Sequence, residues 1–397
     1  MRIMLANFAK MIGDTGGAAK VFSAFANEMT RRGHEVSMVY SDDREGDFFY
    51  PVADAVRTYN LRHCNGTNIL FPTRMKVKRE LLKIVDTRRG RGVNDEFLEK
   101  FLLDNLKAIL RETAPDIVVT FHPMASKSFV CDLKVDIPVI TMSHGDPEDY
   151  FHTYPVEELP AIEHSTVNQV LLPSFVQPLR QRYPDLRVEV IGNVVPQYEP
   201  PADLAAPKER YKILFIGRLV RNHKQPHLLV DAFCKIAKEF PAWDVELWGA
   251  DDRASFTKKM QRKIDHAGLH DRVMFKGTTH DVAAVLRTGD IFAFPSAYEG
   301  WGMSLTEAMS MGLPAIGFRS CVAVNEIIRD GVTGILTQDG AAAYAEGLRR
   351  LMADQGLRKR MGDAARESMR PYSADAIWGR WEKLLEDSVS LKLAALS

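Results

Sequence analysis

Glu299 and Glu307 stand eight residues apart on either side of Gly300-Trp301-Gly302, a spacing that puts two carboxylates at one strand-to-helix turn. The apolar run at 290–294 (Asp-Ile-Phe-Ala-Phe) predicts a short buried strand, which Pro295 and Ser296 end by fixing φ and removing a ladder donor. Gly300 and Gly302 let the backbone approach a ligand, and Leu305, Ala308, Met309 and the helix formers beside them start a helix that carries Glu307. Glu299 is therefore expected at the mouth of the strand and Glu307 in the first turns of the helix, both toward the crevice at the carboxyl ends of a parallel sheet. A helix start offers unpaired N–H groups and partial positive charge to a phosphate, while a nearby carboxylate suits sugar hydroxyls. A phosphate joined to a sugar meets both; the bland alternative is an ordinary turn with solvated glutamates.

Two cations point to the same chemistry. Gly217-Arg218 follows a second apolar strand at 211–217, and Lys224 lies six residues further on, in a polar loop just before a helix. Arg offers a planar fork and Lys a point charge, a pair suited to the two phosphates of a nucleotide diphosphate. His122 and His144 each follow a predicted strand, where a histidine is either structural or at a ligand-binding edge.

These residues need α/β units to position them. At 397 residues the chain predicts two domains, and its 46% hydrophobic and 26% charged content is that of a globular protein. With 52 basic and 52 acidic residues, net charge gives no support to a nucleic-acid partner. The four cysteines, Cys64, Cys131, Cys234 and Cys321, are never in C-x-x-C spacing and read as reduced core residues. The first ten residues hold too short an apolar run for a signal peptide, and no segment approaches a membrane span, so a cytoplasmic protein is expected.

The predicted order begins with a strand at 2–8, a Gly13-Asp-Thr-Gly16-Gly17 turn, a helix carrying Val21, Phe22, Phe25, Ala26 and Met29, and a strand at 34–40. This βαβ opening lacks the G-x-G-x-x-G fingerprint and a clear acidic residue at the end of the second strand, which argues against a nicotinamide enzyme. Residues 71–91 form a basic, partly amphipathic segment, with Arg74, Lys76, Lys78, Arg79, Lys83, Arg88, Arg89 and Arg91 against Glu80 and Asp86. It reads either as peripheral contact with anionic lipid headgroups or as a solvated helix packed on the domain. Further strands are predicted at 116–120, 137–141 and 170–173. An extended linker follows at 196–207, with four prolines. The boundaries expected are 1–200, a second doubly wound domain at 201–372, and a final helix at 373–393 within 373–397. The second domain continues with a helix at 226–240 and strands at 244–248 and 272–275.

Taken together, Gly16-Gly17, Gly217-Arg218 with Lys224, residues 271–277 (Asp-Arg-Val-Met-Phe-Lys-Gly), Pro295-Ser296, Glu299-Gly-Trp-Gly302 with Glu307-Ala-Met309, and Glu326-Ile-Ile with Gly331 and Gly334 resemble the family-4 retaining glycosyltransferases over nearly the whole chain. The resemblance implies a GT-B architecture, α/β, with two Rossmann-like doubly wound parallel-sheet domains facing across a deep cleft. The C-terminal domain would bind a nucleotide sugar and the N-terminal domain the acceptor, with the last helix crossing back onto the latter. Arg218 and Lys224 would hold the diphosphate and Glu307 the ribose hydroxyls. Glu299 would sit by the donor sugar, with the amides of Gly300, Trp301, Gly302, Met303, Ser304 and Leu305 near sugar and phosphate. Lys276 and Gly277 would flank the base. His122 matches the family's active-site histidine near the transferred sugar, and His144 is the second candidate on that edge; Gly16 and Gly17 would approach the phosphate across the cleft.

The chain departs from the family pattern at Gln225, where a glycine often follows the lysine, at Asp251 in the loop after Trp248-Gly249, and at Val194 after Asn193. No D-x-D occurs, so no metal or other cofactor is expected, and charge on the leaving diphosphate falls to Arg218, Lys224 and a helix N-terminus. The resemblance implies retention of anomeric configuration, with same-face attack favoured over a covalent intermediate. The expected activity is hexosyl transfer from a UDP-sugar, with GDP-sugar second, to a growing glycan or lipid-linked acceptor in bacterial lipopolysaccharide, capsule or related polysaccharide synthesis, at the inner face of the cell membrane. The alternatives are a sugar-nucleotide sensor or scaffold, and an epimerase or phosphorylase of the same fold.

Overall fold

The computed structural model describes residues 1–64, 66–251 and 254–396, and divides into one unit of Met1–Gly192 with Trp378–Ser397 and a second of Asn193–Ile377. The first is built on a seven-stranded parallel sheet. Its centre is the strand Arg2–Asn7, flanked on one side by Glu35–Tyr40 and then Arg57–Asn60, and on the other by Ile117–Thr120, Val139–Met142, Val167–Val170 and Val188–Val190. Central strands covered on both faces have no need to alternate, and Ile117–Thr120 and Val139–Met142 are buried at every position. The helix Gly17–Arg31 buries Val21, Phe22, Phe25, Ala26 and Met29, the i, i+3, i+4 stripe that its sequence displays. Phe25 packs in turn on Trp378 and Trp381 of the final helix Ala374–Leu396, with ring centroids 5.3 and 4.8 Å apart.

The second unit has a six-stranded parallel sheet around Tyr211–Ile216, with Trp243–Trp248 and Val273–Gly277 on one side and Ile291–Phe294, Ala315–Phe318 and Gly334–Thr337 on the other. In both sheets the chain winds outward from the first strand in one direction and then restarts on its other side. Each sheet therefore has a switch point: between Arg2–Asn7 and Ile117–Thr120 in the first, and between Tyr211–Ile216 and Ile291–Phe294 in the second.

Several sequence expectations are corrected. The strand expected at 170–173 is Val167–Val170, followed by a 3₁₀ turn at Pro173–Phe175. The apolar run Val170-Leu171-Leu172 misplaced it, because Asn168 and Gln169 are buried in the strand, their side-chain amides donating to the carbonyls of Ile162 and Ile191. The helix expected at 226–240 ends at Ile236. The basic segment at 71–91 is two helices, Thr73–Val85 and Thr87–Phe101, divided at Asp86, which is extended and caps the second by accepting from the Arg88 amide at 2.8 Å. Cys321 is buried, Cys131 and Cys234 are half-buried, and the Cys64 side chain lies outside the described residues. Residues 196–207 have no helix or strand, but Ala202 and Leu204 are buried and the Ala202 amide donates to Met311 O at 2.9 Å, so this stretch packs on the second unit.

Candidate active site

The switch point of the second sheet gathers the residues that the motifs single out there. Gly217 and Arg218 leave Tyr211–Ile216, and Pro295 to Gly302 leave Ile291–Phe294. The turn closes at Gly302, whose φ of 77° is left-handed and where a Cβ would stand 3.2 Å from the Phe294 ring, so glycine fits on both counts. The helix Met303–Ser310 starts there and is tied across the switch point by Ser304 Oγ donating to Ile216 O at 2.8 Å. On the other side, Gly249 approaches Gly217 so closely that a Cβ on it would meet the Gly217 carbonyl oxygen at 1.9 Å. Backbone bonds Gly217 N to Trp248 O and Gly249 N to Gly277 O, at 2.9 and 2.8 Å, draw the three strand-end loops together.

Lys224 and Glu299, 75 residues apart in sequence, form an ion pair with Nζ donating to Oε1 at 2.5 Å. The Lys224 ammonium also lies 5.0 Å from the centroid of the Phe294 ring, and Ala297 N donates to His223 O at 2.8 Å, locking the two loops that carry the pair. The thiol of Cys321 is buried beside them, its pKa pushed up to about 11 chiefly by burial and further by the Glu299 charge. Arg218 is exposed and lines a cavity of about 460 Å³ together with Arg221, His223, Phe256 and Lys259. A second cavity of about 470 Å³, with Leu219, Gly249, Phe275, Gly277 and Thr278 in its walls, lies beside it. Lys276 is exposed, its ammonium 5.7 Å from the Trp248 ring centroid.

Glu307 is buried in the helix Met303–Ser310, and Tyr198 lies close enough that the Glu307 charge, after burial, raises the phenol pKa. Trp301 is buried against Tyr372, ring centroids 4.9 Å apart, and Leu305 is wholly buried, so these two present backbone and no side chain to a ligand; Gly300, Met303 and Ser304 are half-buried. Among the described residues no three His, Cys, Asp or Glu side chains are grouped to hold a metal ion.

The remaining candidates belong to the first unit. Gly16 precedes the helix Gly17–Arg31, its amide donating to Asp14 Oδ1 at 2.9 Å, and no acidic residue occupies the first turn. His122 stands at the switch point, where the Phe8 amide points to Nε2 at 3.1 Å and the Ala125 amide to Nδ1 at 3.4 Å. A neutral imidazole has one ring lone pair for two such donors, so only one contact is a hydrogen bond in any tautomer. Burial pushes the His122 pKa down to about 4, and burial with the His122 charge does the same to His144. His144 stacks on Phe121 at 5.0 Å and its buried Nε2 has no partner among the described residues. Both rings are neutral near pH 7, suited to hydrogen bonding and not to carrying charge.

Tyr198, Arg221, Lys259 and Cys321 are additions that sequence reasoning missed. Tyr198 sits in a proline-rich stretch read as linker; the Arg221 signal was available, since it shares the polar loop of Arg218 and Lys224.

Two doubly wound parallel sheets of this kind are the architecture of the GT-B fold, and solved glycosyltransferase structures of that fold match the chain. One is Anabaena Alr3699/HepE in complex with UDP and glucose, 17% identical, with a TM-score of 0.70 over 98% of this chain and 100% of that one, a likeness of fold. Residues 15–196 match the family "Glycosyltransferase Family 4" and residues 197–368 match "Glycosyl transferases group 1". The chain belongs to the family-4 glycosyltransferases. Curated relatives include the lipopolysaccharide core biosynthesis glycosyltransferase LpsD of Rhizobium meliloti, 25% identical over 74% of this chain and 82% of that protein. An N-acetyl-alpha-D-glucosaminyl L-malate synthase from Bacillus anthracis is 32% identical over 45% of this chain and 46% of its own. The chain spans about half the length, or less, of several other curated relatives, from 21% to 52%.

Proposed function

We propose that this glycosyltransferase moves a hexose-type sugar from a nucleotide diphosphate sugar, UDP- before GDP-, to a hydroxyl of a growing glycan or lipid-linked acceptor, with retention of configuration and without a metal. The observation that carries the reading is the Lys224–Glu299 pair, set beside Arg218 and the start of Met303–Ser310 at the switch point of the second sheet. Arg218, Lys224 and the free amides at that helix start would meet the diphosphate charge, Glu299 the donor sugar and Glu307 the ribose; the cavity between Leu219 and Gly277 suits the base. In same-face attack the acceptor oxygen bonds to the anomeric carbon as the bond to the phosphate oxygen breaks. The acceptor proton passes to that phosphate oxygen, and the protein mainly stabilises charge on the diphosphate.

A bacterial surface-polysaccharide role is favoured by the LpsD likeness, and the acceptor is assigned to the first unit, with work at the inner face of the cell membrane. Among the described residues no helix is long and apolar enough to cross a membrane, so membrane contact would be peripheral. It would run through Thr73–Val85, which has no buried residue and exposes Val77, Leu81, Ile84 and Val85 by 54, 61, 82 and 80% on one face. Three of its cations are already engaged, Lys78 by Glu96, and Arg79 and Lys83 by Glu80, which puts more of the contact on apolar insertion than charge alone suggests. Changing Leu81 and Ile84 to Ser should abolish co-sedimentation with anionic vesicles; undiminished binding removes the membrane contact from the proposal.

A thermal-shift screen with UDP-, GDP- and ADP-sugars tests the donor, since a ligand at about 100 times its dissociation constant adds about 2.7 kcal/mol. Release of nucleoside diphosphate with acceptor present then separates a transferase from a sensor, and donor isomerisation without acceptor identifies an epimerase. Stabilisation by none of the three donors refutes the nucleotide-sugar reading.

A further inference from the structure

Away from the donor residues, the helix Thr87–Phe101 meets the 3₁₀ turn Val156–Glu158 through two carboxyl groups, Asp95 and Glu158, that lie within hydrogen-bonding reach of each other. They are 5% and 4% exposed. Both Asp95 oxygens and Oε2 of Glu158 have no partner among the described residues. The nearby cations are committed elsewhere. Lys127 Nζ donates to Asp132 at 2.8 Å and also to Glu99, and Arg91 Nη1 donates to Thr153 O and Oγ1 at 2.9 and 3.1 Å.

An ionised carboxylate can only accept, so two of them facing each other in a buried place repel and satisfy nothing. One proton between them turns the pair into a donor and an acceptor. The surrounding groups agree in direction. Burial raises Asp95, with Glu99 and Glu157 adding to it and Lys127 opposing; burial and the Asp95 charge raise Glu158, against Arg91 and Lys127. Asp95 also lines a cavity of about 670 Å³, bounded by Asp86, Gly92, Glu99 and Glu157, into which water can enter if the pair separates.

We propose that Asp95 and Glu158 share a single proton and form an acid-closed latch between the helix Thr87–Phe101 and the turn Val156–Glu158, opening into the adjacent cavity when that proton is lost. Burial and each other's charge hold both carboxyls above their ordinary range, so the pair keeps a proton through neutral pH and the latch weakens steadily as pH rises from the ordinary carboxylate range to the upper, raised pKa. Opening loosens Thr87–Phe101, which holds the helix Thr73–Val85 through Lys78 to Glu96. The latch does not depend on the proposed activity or on membrane contact.

Hydrogen exchange of residues 87–101 and 156–158 in the full chain, corrected for intrinsic pH dependence, tests it from about pH 7 to above pH 9. The parent should lose protection as pH rises toward the upper pKa, by up to about tenfold per pH unit, and the loss should level off above it. Glu158→Gln should keep it, because its amide donates to Asp95 at every pH. Equal loss in both proteins, or no loss in the parent, overturns the latch. If Glu158→Gln does not fold, the parent still decides: its infrared spectrum near neutral pH should contain the C=O stretch of a buried protonated carboxyl, and the absence of that band overturns the proposal.

Discussion

Replacing Lys224 by Met, Glu299 by Gln, and then both together separates what this pair does for the fold from what it does for the reaction. The two groups meet at 2.5 Å with side chains 20% and 9% exposed. At an effective dielectric of about 20, unit charges at that distance attract by about 6–7 kcal/mol. Desolvation of a nearly buried carboxylate and a partly buried ammonium cancels most of this, leaving a coupling of about 1.5–3 kcal/mol. Lys224→Met removes the ammonium that donates to Glu299 Oε1 and stands over Phe294, and should cost about 2–3 kcal/mol. Glu299→Gln keeps the shape and should cost about 1–2 kcal/mol. The double variant should cost about 1–2 kcal/mol, well short of the sum.

Turnover should follow a different pattern. If Lys224 meets the leaving diphosphate as proposed, loss of its ammonium should slow turnover by about 10²- to 10³-fold, and the double variant should not recover it. Urea unfolding of the four proteins and nucleoside diphosphate release in each are the two assays. Additive stabilities would show that the pair is not formed. Recovered turnover in the double variant would show that Lys224 matters only by neutralising Glu299.

Arg218→Ala and Glu307→Ala should each impair donor handling with the fold intact, Arg218→Ala by about 10²- to 10³-fold in turnover, and near-normal turnover of both purified variants contradicts the assignment. Gly249→Ala should not yield a stable protein, since its Cβ would stand 1.9 Å from the Gly217 carbonyl oxygen; a melting temperature equal to the parent's would refute the close approach of these loops. Gln225 has a left-handed φ of 47°, so Gln225→Gly should change stability by less than about 1 kcal/mol, the relief of a side-chain clash worth about 1–2 kcal/mol being offset by the greater backbone freedom of glycine; a larger loss in urea unfolding would refute this. The pKa values of His122 and His144 are about 4 in the folded chain against an ordinary value of 6.5, so the unfolded chain binds protons first and stability should fall as pH drops from 6.5 toward 4. His144→Phe should flatten that fall, measured by urea midpoints across this range, and an unchanged slope contradicts its burial as a neutral ring.

What could be read from the sequence was whatever the chain states locally. Pro295, Gly300 and Gly302 punctuate the turn between Ile291–Phe294 and Met303–Ser310, so the positions of Glu299 and Glu307 on it were legible; so was the Val21 to Met29 stripe of the first helix. Legibility stops where a side chain answers a partner far along the chain. Asn168 and Gln169 argue against a strand until the carbonyls of Ile162 and Ile191 are known to satisfy them. Lys224 reads as a second phosphate ligand, and only the strand order reveals that it also answers Glu299. Asp95 and Glu158, 63 residues apart, belong to no motif, and only the fold shows that two unrelated elements take both out of water. In all three cases the missing information is the same: which polar groups the topology takes out of water together. A sequence motif names the groups, but the partner available in the dry place decides whether a group is a ligand, a brace or a proton store.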